Sequence, residues 1–408
     1  MTDIRNALNI RLESPCFDEA YAKALADDGM PHWLTEDYIR TLNDICHVLP
    51  KTYERVLEAL PHVRAVPELV LLAKTLYHIL DTREKYPKAF SAFTHPKAPE
   101  GSEHTVGYDT VTLFPVLAHI KASYDELVVR GVGEDVASAS HIWMDSFFNE
   151  AIENNGKLCF PEPYFAAYGV GIYVTTLIIG RLRFEPRVDD TRPVRIFKNT
   201  EGTLLPLMDN TLIHESGHIF GTYGCEDEGA CYPADFKETT DAYEGYTVDP
   251  VSRLAVRERV KLPKKEWTPV FVSGGATLSV HIPNGGSITP TLVADSYTRA
   301  KEIFTRCYPE YNFSCFLLNC WMLSPVLGEI LPPTSNILSF ASGYTVFPIK
   351  NDAKDAFHYV FKISGTPIPE IDIAGLPEDN SLQRGVKEKA LEGKLVYQFG
   401  GYRPWNEI

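Results

Sequence analysis

The sequence is short of basic residues, and this shortage excludes several classes of binding partner. Its 39 lysines and arginines face 54 aspartates and glutamates, which gives a formal net charge of −15. Nucleic acids and anionic lipid surfaces both attract proteins through a positive surface. We therefore expect no nucleic acid partner and no membrane partner. A local basic pocket for one phosphorylated ligand is compatible with this net charge.

Long apolar runs and paired cysteines are also missing. The first residues, "MTDIRNALNIRLESP", lack the apolar segment of a signal peptide. No apolar run approaches the roughly 20 residues that span a bilayer. The eight cysteines form no CxxC pair and lie scattered in apolar stretches, as small buried residues in a reducing compartment would. These absences predict a soluble cytoplasmic protein.

Hydrophobic periodicity divides the chain into two parts. Apolar residues recur at helical spacing in "LTEDYIRTLNDICHVLPKTYERVLEAL", "VPELVLLAKTLYHILD", "VTLFPVLAHIKASYDELVVRG" and "ASASHIWMDSFFNEAIENNG". From about residue 172, β-branched and aromatic stretches alternate with helical ones. We predict an α+β protein, with an all-helical domain over residues 1–171 and a mixed α/β sheet domain over residues 172–408.

The second part carries a regular succession of predicted elements. Strands are predicted for "IYVTTLIIGRLRFEPRV", "RPVRIFKN", "ATLSVHIP", "FSCFLLNCW", "YTVFPI" and "AFHYVFKI". Helices are predicted for "TLVADSYTRAKEIFTRCYP", "LSPVLGEILP" and "SLQRGVKEKALEGK".

The stretch "TLIHESGHIFG", residues 211–221, contains the HExxH pattern of zinc peptidases. In a helix, His214 and His218 would bind the metal on one face, and Glu215 would deprotonate a bound water. A metzincin would need a third histidine at position 224, which is a glycine. Thermolysin-like enzymes take a glutamate from a second helix downstream, and Glu238 has a suitable separation.

A β-hairpin explains the same residues without a metal. "LIHE" and "HIFG" flank Ser216-Gly217, a dipeptide suited to a two-residue turn. Gly217 inside a helix would cost roughly 1 kcal/mol against alanine. The local pattern leaves both interpretations open.

A second motif is the predicted strand, loop and helix over residues 277–306. The apolar strand ends at His281, and the turn Asn284-Gly285-Gly286-Ser287 follows. A helix then begins near Thr289 and Pro290. Free backbone N–H groups at such a helix start attract anions, and glycines allow a phosphate to approach closely. The motif predicts either a phosphate site or a simple turn.

Landmarks in this region resemble a known family. "EWTPVFVSGGATLSVHIPNGG" and "SYTRAKEIFTRCYPEYNFSCFLLNCWMLSPVLGEILPPTSNILSF" follow in the family's order, and "GLPEDNSLQRGVKEKALEGK" resembles its closing helix. "IIGRLRFEP" resembles the start of its sheet. The chain thus resembles bacterial acyltransferase-domain proteins, in which a GNAT-like domain follows a helical N-terminal domain. The resemblance covers most of residues 175–408 and, more loosely, the helical half.

The resemblance implies that acyl-CoA is the co-substrate and an amine is the acceptor. A GNAT-type domain transfers an acyl group from acetyl-CoA or another acyl-CoA to an amine of a small molecule or peptide. Its strand-loop-helix unit holds the CoA diphosphate through backbone amides. The implied CoA-binding residues are Asn284, Gly285, Gly286, Ser287, Thr289 and Arg384. The resemblance also places HESGH among strands and loops, which favours the hairpin.

Candidate catalytic residues follow from the chemistry of acyl transfer, which needs a base, oxyanion donors and an acid for the leaving thiolate. His281 is the candidate base, and anchoring of the turn is its alternative role. Asn336 is a candidate ligand of the acyl carbonyl, although Ser335-Asn336 also suits a helix cap. Tyr344 is the candidate proton donor to the thiolate, or else a core tyrosine. Cys320 lies in apolar surroundings typical of an inert thiol.

Two other functional classes remain open from the sequence. A zinc hydrolase would use His214, Glu215, His218 and Glu238. A GNAT-shaped module that binds a ligand without turnover is the other alternative, because the Q/R-x-x-G-x-G/A signature is absent and "NGGS" stands in its place.

Overall fold

A computed structural model describes residues 3–82, 92–160 and 175–407. Its chain divides into two compact units, Met1–Ile179 and Gly180–Ile408. The predicted domain boundary between residues 171 and 172 lies outside the described residues and stays a prediction. In the described ranges, no helix is both long and apolar enough to cross a membrane.

The first unit is built mainly of helices, as predicted. Two short strands, β1 (Leu12–Glu13) and β2 (Ala92–Phe93), pair antiparallel, and β3 (Leu177–Ile179) closes the unit. Its helices are α1 (Ile4–Ala7), α2 (Phe17–Ala26), α3 (Glu36–Cys46), α4 (Tyr53–Arg64), α5 (Pro67–Asp81), α6 (Thr105–Thr110), α7 (Leu113–Val129) and α8 (Glu134–Asn155).

Local signals explain where these helices begin. Thr35 caps α3, since its hydroxyl accepts a hydrogen bond from the Tyr38 N–H at 3.4 Å. The start of α4 is held from another helix. The buried Asp145 carboxylate accepts hydrogen bonds from the backbone N–H groups of Lys51 and Thr52, each at 3.0 Å. A negative side chain at a helix start satisfies free N–H groups and complements the helix dipole.

The described part of the second unit contains two large sheets and one two-stranded sheet. Its strands are β4 (Leu182–Asp190), β5 (Val194–Asn199), β6 (Leu204–Met208), β7 (Leu212–His214), β8 (Cys231–Pro233), β9 (Lys237–Glu238), β10 (Ala242–Val248), β11 (Ala255–Pro263), β12 (Trp267–Phe271), β13 (Gly275–His281), β14 (Cys315–Cys320), β15 (Thr345–Pro348) and β16 (Phe399–Pro404). Its helices are α9 (Pro290–Cys307), α10 (Leu327–Ile330), α11 (Asn336–Ser342), α12 (Asp355–Phe361) and α13 (Ser381–Leu391).

The first sheet runs in the order β15-β16-β14-β13-β4, and the second in the order β11-β10-β6-β5-β12. In the first sheet β13 and β14 are parallel, and α9 connects them. The second sheet is antiparallel, and its Val194, Ile196 and Met208 share one buried cluster with Leu317 and Tyr402 of the first sheet. The opposite face of the first sheet packs on α9.

One predicted strand is wrong. "AFHYVFKI" forms helix α12, which buries Ala356, Phe357 and Phe361 and ends at Lys362 in a left-handed conformation. Phe357 and Phe361 are four residues apart, which is helical spacing, so the aromatic content of the segment was a misleading signal.

Candidate active site

An opening between two parallel strands lies at the centre of the first sheet. The pairing of β13 with β14 ends at Val280 and Leu318, although the strands continue to His281 and Cys320. Beyond that point, in the part of the chain that the structure describes, each strand is paired on its outer side only, β13 with β4 and β14 with β16. The inner edges of the two strands therefore have backbone N–H and C=O groups available to a ligand.

The 282–289 loop follows this opening and leads into α9. Gly285 and Gly286 have φ angles of +79° and +72°, a left-handed conformation that glycine adopts without strain. Thr289 caps α9 by accepting from the Leu292 N–H at 3.4 Å. Within the described residues, the backbone N–H groups of residues 284–288 donate to no acceptor. Free N–H groups beside a helix start form a site for an anion such as phosphate.

Two side chains from other parts of the chain hold this loop. Arg181 donates from Nε to the Ser287 carbonyl and from Nη2 to the Gly286 carbonyl, both at 3.2 Å. Asn336, the first residue of α11, donates from Nδ2 to the Ser287 hydroxyl at 3.3 Å. Arg181 was not among the predicted site residues, and its place after Gly180 in the turn before β4 was the only sequence signal for it.

His281 lies at the end of β13, beside the opening. Its Nε2 is 3.4 Å from Oε2 of Glu185 on β4, and Arg187 is 3.2 Å from the same carboxylate oxygen. Burial lowers the pKa of His281, with a smaller opposing effect from its hydrogen bond to Glu185; Arg183 also lowers this pKa. The imidazole is therefore neutral near pH 7 and able to accept a proton, and Glu185 would stabilise the imidazolium formed.

Tyr344 lies on the α9 side of the same sheet. Its hydroxyl hydrogen-bonds to the hydroxyl of Tyr297 on α9, and the Arg403 guanidinium lies 4.4 Å from the centre of the Tyr297 ring. Burial raises the pKa of Tyr344 well above its ordinary value. The hydroxyl is thus protonated at neutral pH.

Arg384 is the one predicted CoA-binding residue for which the structure gives no link to the loop. It lies in the first turn of α13 and donates from Nη1 to the Glu378 carbonyl at 2.9 Å. No hydrogen bond within the described residues joins it to the 282–289 loop. Cys320, at the end of β14, has its pKa raised to about 12 by burial, as expected of an inert thiol.

The HESGH stretch does not form the helix that a zinc peptidase requires. β7 ends at His214, and the chain then reverses its direction in a turn. In this turn the His214 N–H donates a hydrogen bond to the His218 carbonyl, with an N–O distance of 2.8 Å. His214 Nδ1 lies 2.8 Å from the Ser216 hydroxyl, while burial lowers the pKa of His218 to about 4. The predicted ligand Glu238 lies in strand β9, not in a helix, and pairs with Lys264 at 2.7 Å.

The chain reversal that the hairpin interpretation predicted is present, but the predicted two-residue turn and second strand are wrong: three residues separate His214 from His218, only an isolated bridge joins Ile213 to Ile219, and β7 pairs with β8 instead. Across the described ranges, no group of three or more histidine, cysteine, aspartate or glutamate side chains is arranged to hold a metal ion.

Comparisons with known proteins agree with this architecture. Several solved structures share the fold across 98% of this chain and 98% of their own. One is an acyltransferase in complex with CoA and 10C-teicoplanin, with a TM-score of 0.58 and 18% identity. A second is an acyltransferase mutant in complex with octanoyl-CoA, with a TM-score of 0.57 and 18% identity. A third is an acyltransferase in complex with decanoyl-CoA, with a TM-score of 0.58 and 18% identity. A search of curated proteins finds no match.

The family assignment comes from the sequence. Residues 177–403, more than half of the chain, match the family described as the GNAT-like C-terminal domain. This range begins before β4, ends within β16, and contains α9 and the 282–289 loop. The chain therefore belongs to the family of proteins with a GNAT-like C-terminal domain.

Proposed function

We propose that this protein transfers an acyl group from an acyl-CoA thioester to an amine of a small molecule or peptide. The observation that carries the proposal is the strand opening, followed by a glycine loop with free N–H groups. Solved structures of the same fold contain CoA, octanoyl-CoA, decanoyl-CoA and teicoplanin, which supports both substrate classes. A cytoplasmic location and a bacterial source remain predictions.

The 282–289 loop would bind the CoA diphosphate. The N–H groups near Asn284, Gly285, Gly286 and Ser287 would donate to its oxygens, and the capped start of α9 at Thr289 would add the positive end of the helix dipole. Arg384 is retained only as a candidate contact to a more distant phosphate. The test below covers acetyl and longer acyl chains.

His281 would act as the base. Its neutral imidazole accepts the proton of the attacking amine, directly or through a water, while the amine nitrogen forms a bond to the thioester carbonyl carbon. Asn336 retains a second amide hydrogen beyond the one it gives to Ser287, and this hydrogen would stabilise the oxyanion. The C–S bond then breaks, and the thiolate takes up a proton. Tyr344 is retained only as a candidate donor of that proton, because its buried hydroxyl bonds to Tyr297 on the sheet face opposite His281.

Turnover measurements test this proposal. Release of free thiol from acetyl-, octanoyl- and decanoyl-CoA is measured with a panel of amines, and CoA affinity is measured separately by calorimetry. His281→Ala should lower kcat strongly and leave CoA affinity nearly unchanged, whereas the control His32→Ala, on the exposed surface of the helical unit, should change neither.

Two outcomes would contradict the proposal. Unchanged turnover in His281→Ala would remove the histidine from the mechanism. CoA binding without turnover for any amine would favour the alternative of a non-catalytic binding module.

A further inference from the structure

An arginine without a partner lies beside the candidate base. The side chain of Arg183, on β4, makes no hydrogen bond and no ion pair with any residue in the described ranges, and its Nε is buried without an acceptor. Buried donors in folded proteins are nearly always satisfied, so an unpaired one beside a candidate catalytic residue calls for an acceptor from outside the chain.

Strand register places Arg183 next to His281. The two residues face each other across the antiparallel β4–β13 pair, and residues opposite one another in such a pair have their side chains on the same face of the sheet. The neighbour Phe184 points to the other face, where its ring packs 5.7 Å from that of Tyr297 on α9. Arg183, Glu185 and His281 therefore share the sheet face opposite α9, which we call the His281 face.

The charges on the His281 face do not cancel. Arg187 pairs with Glu185 at 3.2 Å, and the same carboxylate contacts His281. One carboxylate thus serves two groups, and the Arg183 guanidinium remains without a counter-ion among the described residues. A cation without a counter-ion among the described residues is unexpected in a chain with a net charge of −15.

We propose that Arg183 binds an anionic group, a carboxylate in the simplest case, on the same acceptor whose amine His281 deprotonates. The acceptor would then be an amine that also bears an anion, as an amino acid-like unit does, and not a simple alkylamine. Guanidinium recognises planar carboxylates through two parallel N–H donors. This inference rests on the proposed acyl transfer. The 282–289 loop is assigned to the phosphates of acyl-CoA, and Arg183 is assigned to the acceptor.

Acetate is the probe for the test. The protein is saturated with CoA, acetate is titrated, and the signals of the His281 ring are followed by NMR, with His281→Gln used to assign them. The wild type should show a saturable response. Arg183→Gln should weaken acetate binding by at least about tenfold, because a charge-assisted pair of hydrogen bonds is lost. Arg257→Gln, an exposed arginine on β11, is the matched control and should bind acetate like the wild type.

Three results would overturn the inference: no saturable response in the wild type, an unchanged affinity in Arg183→Gln, or displacement of bound acetate when CoA is added to the CoA-free protein. The last result would assign Arg183 to the phosphates of CoA. A parallel titration without CoA separates this inference from the proposed function. If CoA fails to bind by calorimetry while acetate still binds through Arg183, the acyl transfer proposal fails and the anion site stands.

Discussion

Substitution of Gly217 by alanine should strongly destabilise the second unit, and the sign of this effect distinguishes the turn from a helix. Gly217 has φ +86°, and an added Cβ would overlap the Ala255 carbonyl oxygen and lie 2.9 Å from the Leu254 Cβ. The Ala255 oxygen belongs to the backbone, and the Ala255 N–H donates to the Gly217 carbonyl at 3.0 Å. The two segments are thus tied together and cannot separate without losing this bond.

The expected cost has two parts. A left-handed conformation costs a non-glycine residue about 1–2 kcal/mol. Overpacking against a fixed neighbour adds about 1–3 kcal/mol. We expect the free energy of unfolding to fall by a total of about 2–5 kcal/mol. In a zinc-peptidase helix, the same substitution would instead stabilise the protein by about 1 kcal/mol.

Urea denaturation followed by fluorescence and circular dichroism measures this change. Gly274→Ala is the matched control, because Gly274 also has a left-handed φ, +94°, but no atom lies within 4 Å of an added Cβ. The control should therefore show only the conformational cost. Equal losses in the two variants would refute the packing argument, and a stabilised Gly217→Ala would refute the turn.

Three further predictions follow from individual contacts. Arg181→Met should weaken CoA binding about tenfold in calorimetry, because the Gly286 and Ser287 carbonyls lose their donor. Arg181→Lys keeps a donor and should recover part of the lost CoA affinity. Tyr344→Phe should lower the free energy of unfolding by about 1–3 kcal/mol, because the buried Tyr297 hydroxyl is left unpaired. The Tyr297→Phe/Tyr344→Phe double variant should recover much of this loss, and no recovery would exclude the pairing. Burial lowers the pKa of His141 from 6.5 to about 4. As the pH falls, His141 is therefore protonated at a higher pH in the unfolded chain than in the folded one, which favours unfolding. The free energy of unfolding of the wild type should fall by about 3 kcal/mol between pH 6.5 and 4, and that of His141→Gln should fall by less. An equal fall in the two proteins would contradict this prediction.

The long, strongly patterned elements were predictable from the sequence. Helices α3, α5, α7, α8, α9 and α13 and strands β13 and β14 coincide with the predicted stretches, although α8 begins three residues earlier and α9 and β13 one residue earlier. Thr35 and Thr289 carry the expected capping hydrogen bonds. These features depend on near neighbours in the chain, so their signals are local.

The second sheet was largely missed because its strands have weak patterns. β10 and β11 bury few residues each, and their burial does not alternate regularly along the strand. Such strands are stabilised by pairing with distant segments, which a local pattern does not indicate. The same reason explains why HExxH was ambiguous: the Ala255 contact that requires a glycine at position 217 comes from a distant part of the chain.

The candidate site was predicted where it is contiguous in sequence and missed where it is not. The strand end at His281 and the glycine loop form one continuous segment, which a sequence motif can describe. Arg181 acts on a loop 105 residues further along the chain, and Arg183 reaches His281 only through strand pairing. Neither contact leaves a signal in sequence spacing. Asn336 was predicted as a site residue, and the structure adds its contact with Ser287.

The central claim is that the strand opening and the 282–289 loop bind acyl-CoA. Calorimetric titration of the wild type, Gly286→Ala and Gly274→Ala with acetyl-CoA and decanoyl-CoA tests it most directly. Gly286 and Gly274 share a left-handed φ, so both variants carry a similar conformational cost, and only Gly286→Ala alters the loop. The account predicts saturable binding to the wild type and Gly274→Ala, and greatly weakened binding to Gly286→Ala. Absence of binding to the wild type, or equal binding to both variants, would contradict it.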